Sequence, residues 1–472
     1  MHLFTPIDGH SEDRTHLRAI NRLSLLLAVI SISGFAQVSA RYDSVARQIM
    51  RTALVQNKAI EMLRDLCAPG PRLSGSPQAK KAVQWSKATM ERLGFERVRL
   101  EPVMVPHWVR GTKEEAVAYP SNRRMVIPLT VTALGGSIGT PPDGIVAEVL
   151  EVRSFDELRA KGDAARGKII FFNRPMDRGQ MNTFAAYGGA VDQRGSGAVE
   201  AAKAGGVAAL VRSMTTRIDE FPHTGAMHYQ DSVTQVPVAA VSTRDAERLS
   251  ELLKVEPGTK VRLTLSCQTL PDVESANVLG ELRGTERPDE VIVIGGHLDS
   301  WDKGQGAHDD GAGCVQSIEA LRLLKELGLR PKRTIRAVMF MNEENGLRGG
   351  IAYADVPRLG ERHIAAIESD EGGFAPRGFG VADSAAYRRL KAWEPLFAAM
   401  SADCIILGGG GADISPLMRA GVPGIGLNVE THRYFDHHHS DNDTVEWVNE
   451  RELALGAAAL AILAYVIAEE GM

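Results

Sequence analysis

His297 and Asp299 stand two residues apart just after an apolar run, Val291–Ile294, in the segment GGHLDSWDKGQGAHDDGAG. At the end of a strand only one of the two can point straight into a site. The sensible division makes the imidazole a metal ligand and leaves Asp299 to fix its tautomer from behind. Asp309 comes 12 residues after His297, in a glycine-rich stretch ahead of a helical pattern. Glu343 and Glu344 end a second apolar run and Asp370 ends a third, AAIESD. His437, His438 and His439 form a cluster before Asp443 and Thr444. Adjacent glutamates are a poor end for a core strand unless something cationic meets them. Each group has a plain alternative: a structural histidine, a helix cap at Asp309 or Asp310, a solvated glutamate pair. Their shared position weighs against coincidence, because strand ends are where open α/β sheets collect ligands.

Imidazole and carboxylate oxygen without thiolate suit zinc or a similar divalent ion. Two ions ~3.5–4 Å apart need one bridging carboxylate and further ligands on each side. Such a set is present, with Asp309 as the bridge, His297 and Asp370 on one ion, and Glu344 and His439 on the other. Glu343 is left beside them, where a general base for water belongs. There is no HExxH for a single-zinc protease, no GxxxxGK[ST], and no GxGxxG after a strand. Gly408–Gly411 reads as a flexible turn.

The elements that must position these groups are legible as texture. Tyr42–Leu66 has helical spacing, Pro69–Pro77 is a turn cluster, Gln78–Leu93 is a helix closed by Gly94, and Phe95–Val105 alternates as a strand. From about Lys113 to Pro271 short Val/Ile-rich strands lie between Gly/Pro turns (Val126–Val131, Ile145–Val152, Lys168–Phe172, Ala208–Val211, Val236–Val241). With a helix at Gly195–Ala204 these read as an inserted β-rich domain without a catalytic cluster. From Asn277 strand and helix alternate as in a sheet with parallel strands: Asn277–Leu282, Val291–Ile294, helix Cys314–Leu327, Thr334–Met341, Ala365–Ser369 and Gly424–Asn428.

The chain has 472 residues, room for two or three domains, with 44% hydrophobic and 24% charged residues. A net charge of -5 disfavours a nucleic-acid partner, and four cysteines without CxxC spacing exclude a disulfide scaffold or a zinc finger. Leu23–Ala36 is an apolar run of 14 residues behind Arg14, Arg18 and Arg22, followed by Val38-Ser39-Ala40. It reads as a signal peptide, residues 1–40, cleaved near Ala40, so the mature protein is expected to be secreted or periplasmic. Asp8, Glu12 and Asp13 make this leader untypical and point to a start codon downstream of Met1. The Ala-rich run Leu453–Ala468 reads as a buried terminal helix, with no stable membrane span expected.

HLDSWDKGQGAHDDGAG, NEENG and HHSDNDT together resemble the co-catalytic zinc exopeptidases, the aminopeptidase and glutamate carboxypeptidase superfamily. RLSGSP at Arg72, VPHWVRG at Val105 and RGSGAVEAAKAGGVAALVRSMTT from Arg194 resemble its plasma glutamate carboxypeptidase group. The resemblance implies two zinc ions per chain, with His297, Asp309, Glu344, Asp370 and His439 as ligands and Glu343 as base. It selects His439 over His437 and His438, because the family ligand stands four residues before the Asp of the Asp-Thr pair, here Asp443. It also implies an α/β fold with a mixed sheet sandwiched by helices, and a protease-associated domain inserted at 113–274 between catalytic parts 41–112 and 275–472. A peptide substrate and a homodimer are further implications. The expected activity is exopeptidase or dipeptidase cleavage of short peptides. The other readings are a binding module on a retired peptidase fold and an amidohydrolase of a non-peptide metabolite.

Overall fold

A computed structural model describes residues 40–121 and 126–472. The apolar run of the expected leader lies outside the described residues. The described residues form two mixed sheets of eight strands each. The first runs in the order Glu96–Val109, Gln268–Leu282, Arg333–Phe340, Arg287–His297, Arg362–Glu368, Gly424–Val429, Pro376–Val381, Cys404–Leu407. Its four central strands, from Arg333–Phe340 to Gly424–Val429, are mutually parallel. The flanking strands Gln268–Leu282 and Pro376–Val381 pair with them antiparallel. The expected parallel region is therefore a parallel centre inside a mixed sheet.

Alternate residues of the central strands serve two layers. Val291 and Val293 pack with Phe340, Tyr353, Ile414 and Leu417 on one face. Ile292 and Ile294 pack on the other face with the helices Ala312–Glu326 and Glu450–Glu470. Burial on both faces accounts for the continuous apolar sequence of these strands. The Glu450–Glu470 helix is long and apolar enough to cross a membrane, yet 78% of its apolar window is buried inside the protein. It meets its neighbour closely at Gly456, where a Cβ would fall 2.1 Å from the Gln316 amide.

The strands of the second sheet lie between Glu114 and Leu265. Ile145–Val152, Ile169–Phe172, Ala208–Arg212 and Val238–Val241 are parallel neighbours. Parallel neighbours need long crossovers, and helices Phe155–Lys161, Asp192–Lys203 and Thr243–Val255 belong to this region. The region read as β-rich is thus itself α/β. Most of its strands coincide with the Val/Ile runs; Glu114–Tyr119, Lys260–Leu265 and the Thr243–Val255 helix, on which Ala246, Leu249 and Leu252 are buried, are additions to that pattern.

Candidate metal centre

The C-terminal ends of the four central parallel strands converge, and each delivers part of the site. His297 is the last residue of Arg287–His297, and Asp370 follows Arg362–Glu368 by two residues. Glu343 and Glu344 follow Arg333–Phe340 in a turn, and His439 lies in the loop beyond Gly424–Val429. Asp309 sits in the irregular turn Ala307–Gly311 that opens helix Ala312–Glu326. This turn approaches the strand closely enough that a Cβ on Gly296 would fall 2.0 Å from Asp310 Oδ2.

The five expected ligands come together in two halves. His297 Nε2 is 3.2 Å from Asp309 Oδ1 and 3.2 Å from Asp370 Oδ1. His439 Nε2 is 3.2 Å from Asp309 Oδ2 and 3.1 Å from Glu344 Oε2. The two oxygens of Asp309 therefore face different imidazoles. Two atoms each ~2.0–2.1 Å from one tetrahedral ion stand ~3.3 Å apart, so the donor set fits a pair of divalent ions. Asp309 Oδ2 and Asp370 Oδ1 are also buried without a hydrogen-bond partner among the described residues. Buried carboxylate oxygens in that state call for a cation.

Two neighbours need separating from the set. Asp310 lies close to His297 and Asp370. Its oxygens, however, accept backbone N–H bonds from His297 at 3.0 Å and Gly313 at 3.0 Å, which gives it the capping task. His438 stacks on His439 with ring centroids 3.5 Å apart, and its Nε2 stays 3.8 Å from Asp309 Oδ2.

Asp299 takes the expected place behind His297 through its main chain and has a second task in its side chain. His297 Nδ1 lies 2.9 Å from the backbone carbonyl of Asp299, not from its carboxylate. The carboxylate accepts from the backbone N–H groups of Asn342 (2.6 Å), Glu343 (3.1 Å) and Glu344 (3.4 Å), and from Ser74 Oγ (3.0 Å). Asp299 thus fixes the imidazole with its main chain and pins the glutamate turn with its side chain. Spacing along the sequence does not distinguish these two oxygens.

Without an ion the site is strongly polarised. Burial opposes charge on His439, but the Glu344 and Asp309 carboxylates outweigh it and push the imidazole up to about 9. His297 is likewise raised, against burial, by Asp370 and Asp309. Burial pushes Glu344 up to about 7. Burial also lifts Glu343 well above the ordinary carboxylate range, with Asp370, Glu344 and Asp309 adding to it against His297. Glu343 is half-buried and, among the described residues, its carboxylate makes no ion pair.

Several residues around the site carry no ligand pattern and were not singled out from sequence. Arg72, fully buried, donates to the carbonyls of Leu298, Gln305 and Gly306 and shapes the loop leading to Asp309. Arg194, from helix Asp192–Lys203, places Nη1 3.5 Å from His439 Nδ1. Its guanidinium lies 5.4 Å from the Tyr187 ring centroid, and its Nε is buried without a partner. Among the described residues no carboxylate pairs with it. Their signal lay in RLSGSP and RGSGAVEAAKAGG, segments of family resemblance with no metal ligand in them. A GxSxG spacing also occurs at Gly135–Gly139. Ser137 there is buried, and its hydroxyl is engaged by Ile138 O and Val238 N, as a structural serine would be.

Residues 277–465 match peptidase family M28. The chain is 40% identical over 436 residues to carboxypeptidase Q of Mus musculus, covering 91% of this chain and 90% of that protein. Carboxypeptidase Q of Homo sapiens is 39% identical over the same coverage, 91% and 90%. Among solved structures, a peptidase M28 precursor from Shewanella amazonensis superposes with a TM-score of 0.86 at 35% identity, covering 92% of this chain and 98% of that one. A zinc aminopeptidase from Bacillus subtilis shares the fold at a TM-score of 0.60 and 20% identity, covering 86% and 93%.

Proposed function

This chain belongs to peptidase family M28, and from that premise we propose that it is a di-zinc exopeptidase acting on dipeptides or short peptides. The observation that carries this reading is Asp309, whose two oxygens each stand 3.2 Å from a different imidazole. His297 and Asp370 would hold one ion, Glu344 and His439 the other. When bound, zinc supplies Lewis-acid polarisation of a carbonyl and makes water more acidic. Glu343 takes the proton from the attacking water and passes it to the leaving amine. A carboxyl held above its usual range by burial is suited to both transfers.

The end of the substrate that is held follows from Arg194. A guanidinium beside His439, without a carboxylate partner among the described residues and with an unpaired Nε, asks for an anion. The free α-carboxylate of a short peptide is the anion such a substrate brings, in keeping with the name carboxypeptidase carried by the relatives. Region 113–274, which supplies Arg194, is read as a protease-associated insertion that completes the substrate site. The leader at 1–40 is read as an export signal, with the enzyme working outside the cytoplasm.

The test is a dipeptide panel with either terminus blocked. Amidation of the carboxyl end should abolish turnover, and acetylation of the amine should be tolerated better. Arg194→Gln should raise KM for free-carboxylate substrates more than it lowers kcat. Equal turnover of amidated and free dipeptides would refute the carboxylate reading. Failure to hydrolyse any peptide in the presence of zinc would refute the exopeptidase reading.

A further inference from the structure

The two halves of the metal centre are supported by different parts of the chain. His297 is fixed from nearby: its Nδ1 meets Asp299 O at 2.9 Å, and its N–H donates to Asp310 Oδ2 at 3.0 Å. The other half leans on the second-sheet region. Thr224 brackets His439, donating its N–H to His439 O at 2.9 Å and placing its own carbonyl 3.4 Å from His439 Nδ1. Glu344 Oε1 accepts from the Trp301 N–H at 3.0 Å. Residues behind a ligand that fix its orientation tune how tightly the ion is held.

Both supports meet at one side chain. Arg110, at the junction between the two sheets and only 10% exposed, donates from Nε to Asp302 Oδ2 at 2.9 Å. Its Nη2 also reaches Asp302 Oδ1, and lies 3.3 Å from Thr224 Oγ1. Nη1 donates to Glu114 Oε1 at 2.8 Å, Thr132 Oγ1 at 2.8 Å and Ala133 O at 2.6 Å. Thr224 Oγ1 in turn donates to Ala133 O at 2.9 Å. Asp302 is the neighbour of Trp301, so one guanidinium anchors both the peptide that holds Glu344 and the residue that orients His439.

We propose that Arg110 is a positioning residue for one half of the metal centre, setting the affinity of the Glu344–His439 half and leaving the His297–Asp370 half alone. The inference rests on the two-ion reading above. It makes the inserted region a determinant of metal loading as well as the source of Arg194. Lysine cannot replace this arginine fully, because a single ammonium lacks the planar fork that engages Asp302, Thr224 and Glu114 together.

Cobalt titration of the metal-free full chain, followed by visible absorption, resolves the two halves. Wild type should bind in two steps, and His439→Ala identifies the step belonging to its half. Arg110→Met should weaken that step ~10–100-fold and leave the other within a few-fold. Arg110→Lys should recover part of the loss. Arg336→Met is the control for general loosening, since Arg336 is a buried arginine held by Glu281, Glu361 and Tyr353 but lies apart from the ligands. It should lower the melting temperature and leave both steps within a few-fold of wild type. Should Arg110→Met fail to fold, Asp302→Asn cuts the same link and should show the same selective loss. Equal weakening of both steps, or no weakening, overturns the proposal. A single cobalt in wild type overturns the two-ion reading instead.

Discussion

Glu343 and Glu344 are neighbours with the same side chain, and the turn they share separates their chemistry. Three successive N–H groups of that turn point at the Asp299 carboxylate, which leaves little freedom in where the two side chains go. Glu344 is spent on Trp301 N–H and His439, whereas Glu343 is half-buried with neither contact. Glu343→Gln should therefore keep zinc content and melting temperature and lose ~10²–10⁴-fold in kcat. Glu344→Gln should lose zinc and activity together. Side-by-side metal analysis, melting and peptide hydrolysis check both, and a Glu343→Gln enzyme within a few-fold of wild-type kcat would remove it as the base. At this scale the sequence was informative about ligands, because carboxylates and imidazoles at strand ends stand out against apolar runs. It assigned no role to the supports. Arg72 and Arg194 act through backbone carbonyls and neighbouring rings, and Arg110 through Asp302 and Thr224, partners far from it in the chain that leave no spacing rule behind. Asp299 stands behind His297 as the spacing suggests, but spacing does not say that its carbonyl meets the imidazole while its carboxylate holds the glutamate turn.

Among the elements, the buried parallel strands and the alternating edge strand Glu96–Val109 were legible, and two short strands beyond Gly424–Val429 were not. Thr334–Met341 and Val291–Ile294 are apolar on both faces and could not be mistaken for loops. Pro376–Val381 and Cys404–Leu407 escaped notice. The first begins with Pro and holds Gly378 at φ 144, a breaker signature. The second, at the sheet edge, is four residues long and mostly exposed. The contact between the two sheets was equally hidden, because it is made by an absent side chain. Gly135 abuts the buried Trp301 so closely that a Cβ would lie 1.8 and 2.0 Å from indole carbons. Gly135→Ala should force the indole, and with it the Trp301 N–H, away from Glu344. Overpacking of this kind costs ~1–3 kcal/mol. The expected result is a lower melting temperature together with weaker metal retention. A variant with wild-type values for both would show that the sheets can part here without disturbing the site.

For the whole molecule, the metal centre is a fastener as well as a catalyst. Its ligands come from His297 to His439, on four strand ends and the turn before a helix, so an unfolded chain offers no comparable site. An ion that binds only the folded state stabilises it by about 4 kcal/mol when its concentration is a thousand times Kd. Removal by a chelator should therefore lower Tm, and the size of that drop should depend on pH. In the metal-free protein His439 titrates at about 9, above the pH of most assays, so binding an ion must expel a proton from it. For each proton expelled, apparent affinity falls about tenfold per pH unit below that value, or ~1.4 kcal/mol of metal-linked stability. The Tm difference between zinc-loaded and chelated protein should therefore be large at pH 7.5 and shrink towards pH 5.5. Calorimetric titration at pH 7.5 in buffers of differing ionisation enthalpy should show proton release on zinc binding. A Tm difference that stayed constant or grew on acidification would mean that the imidazoles are not the groups the metal displaces protons from.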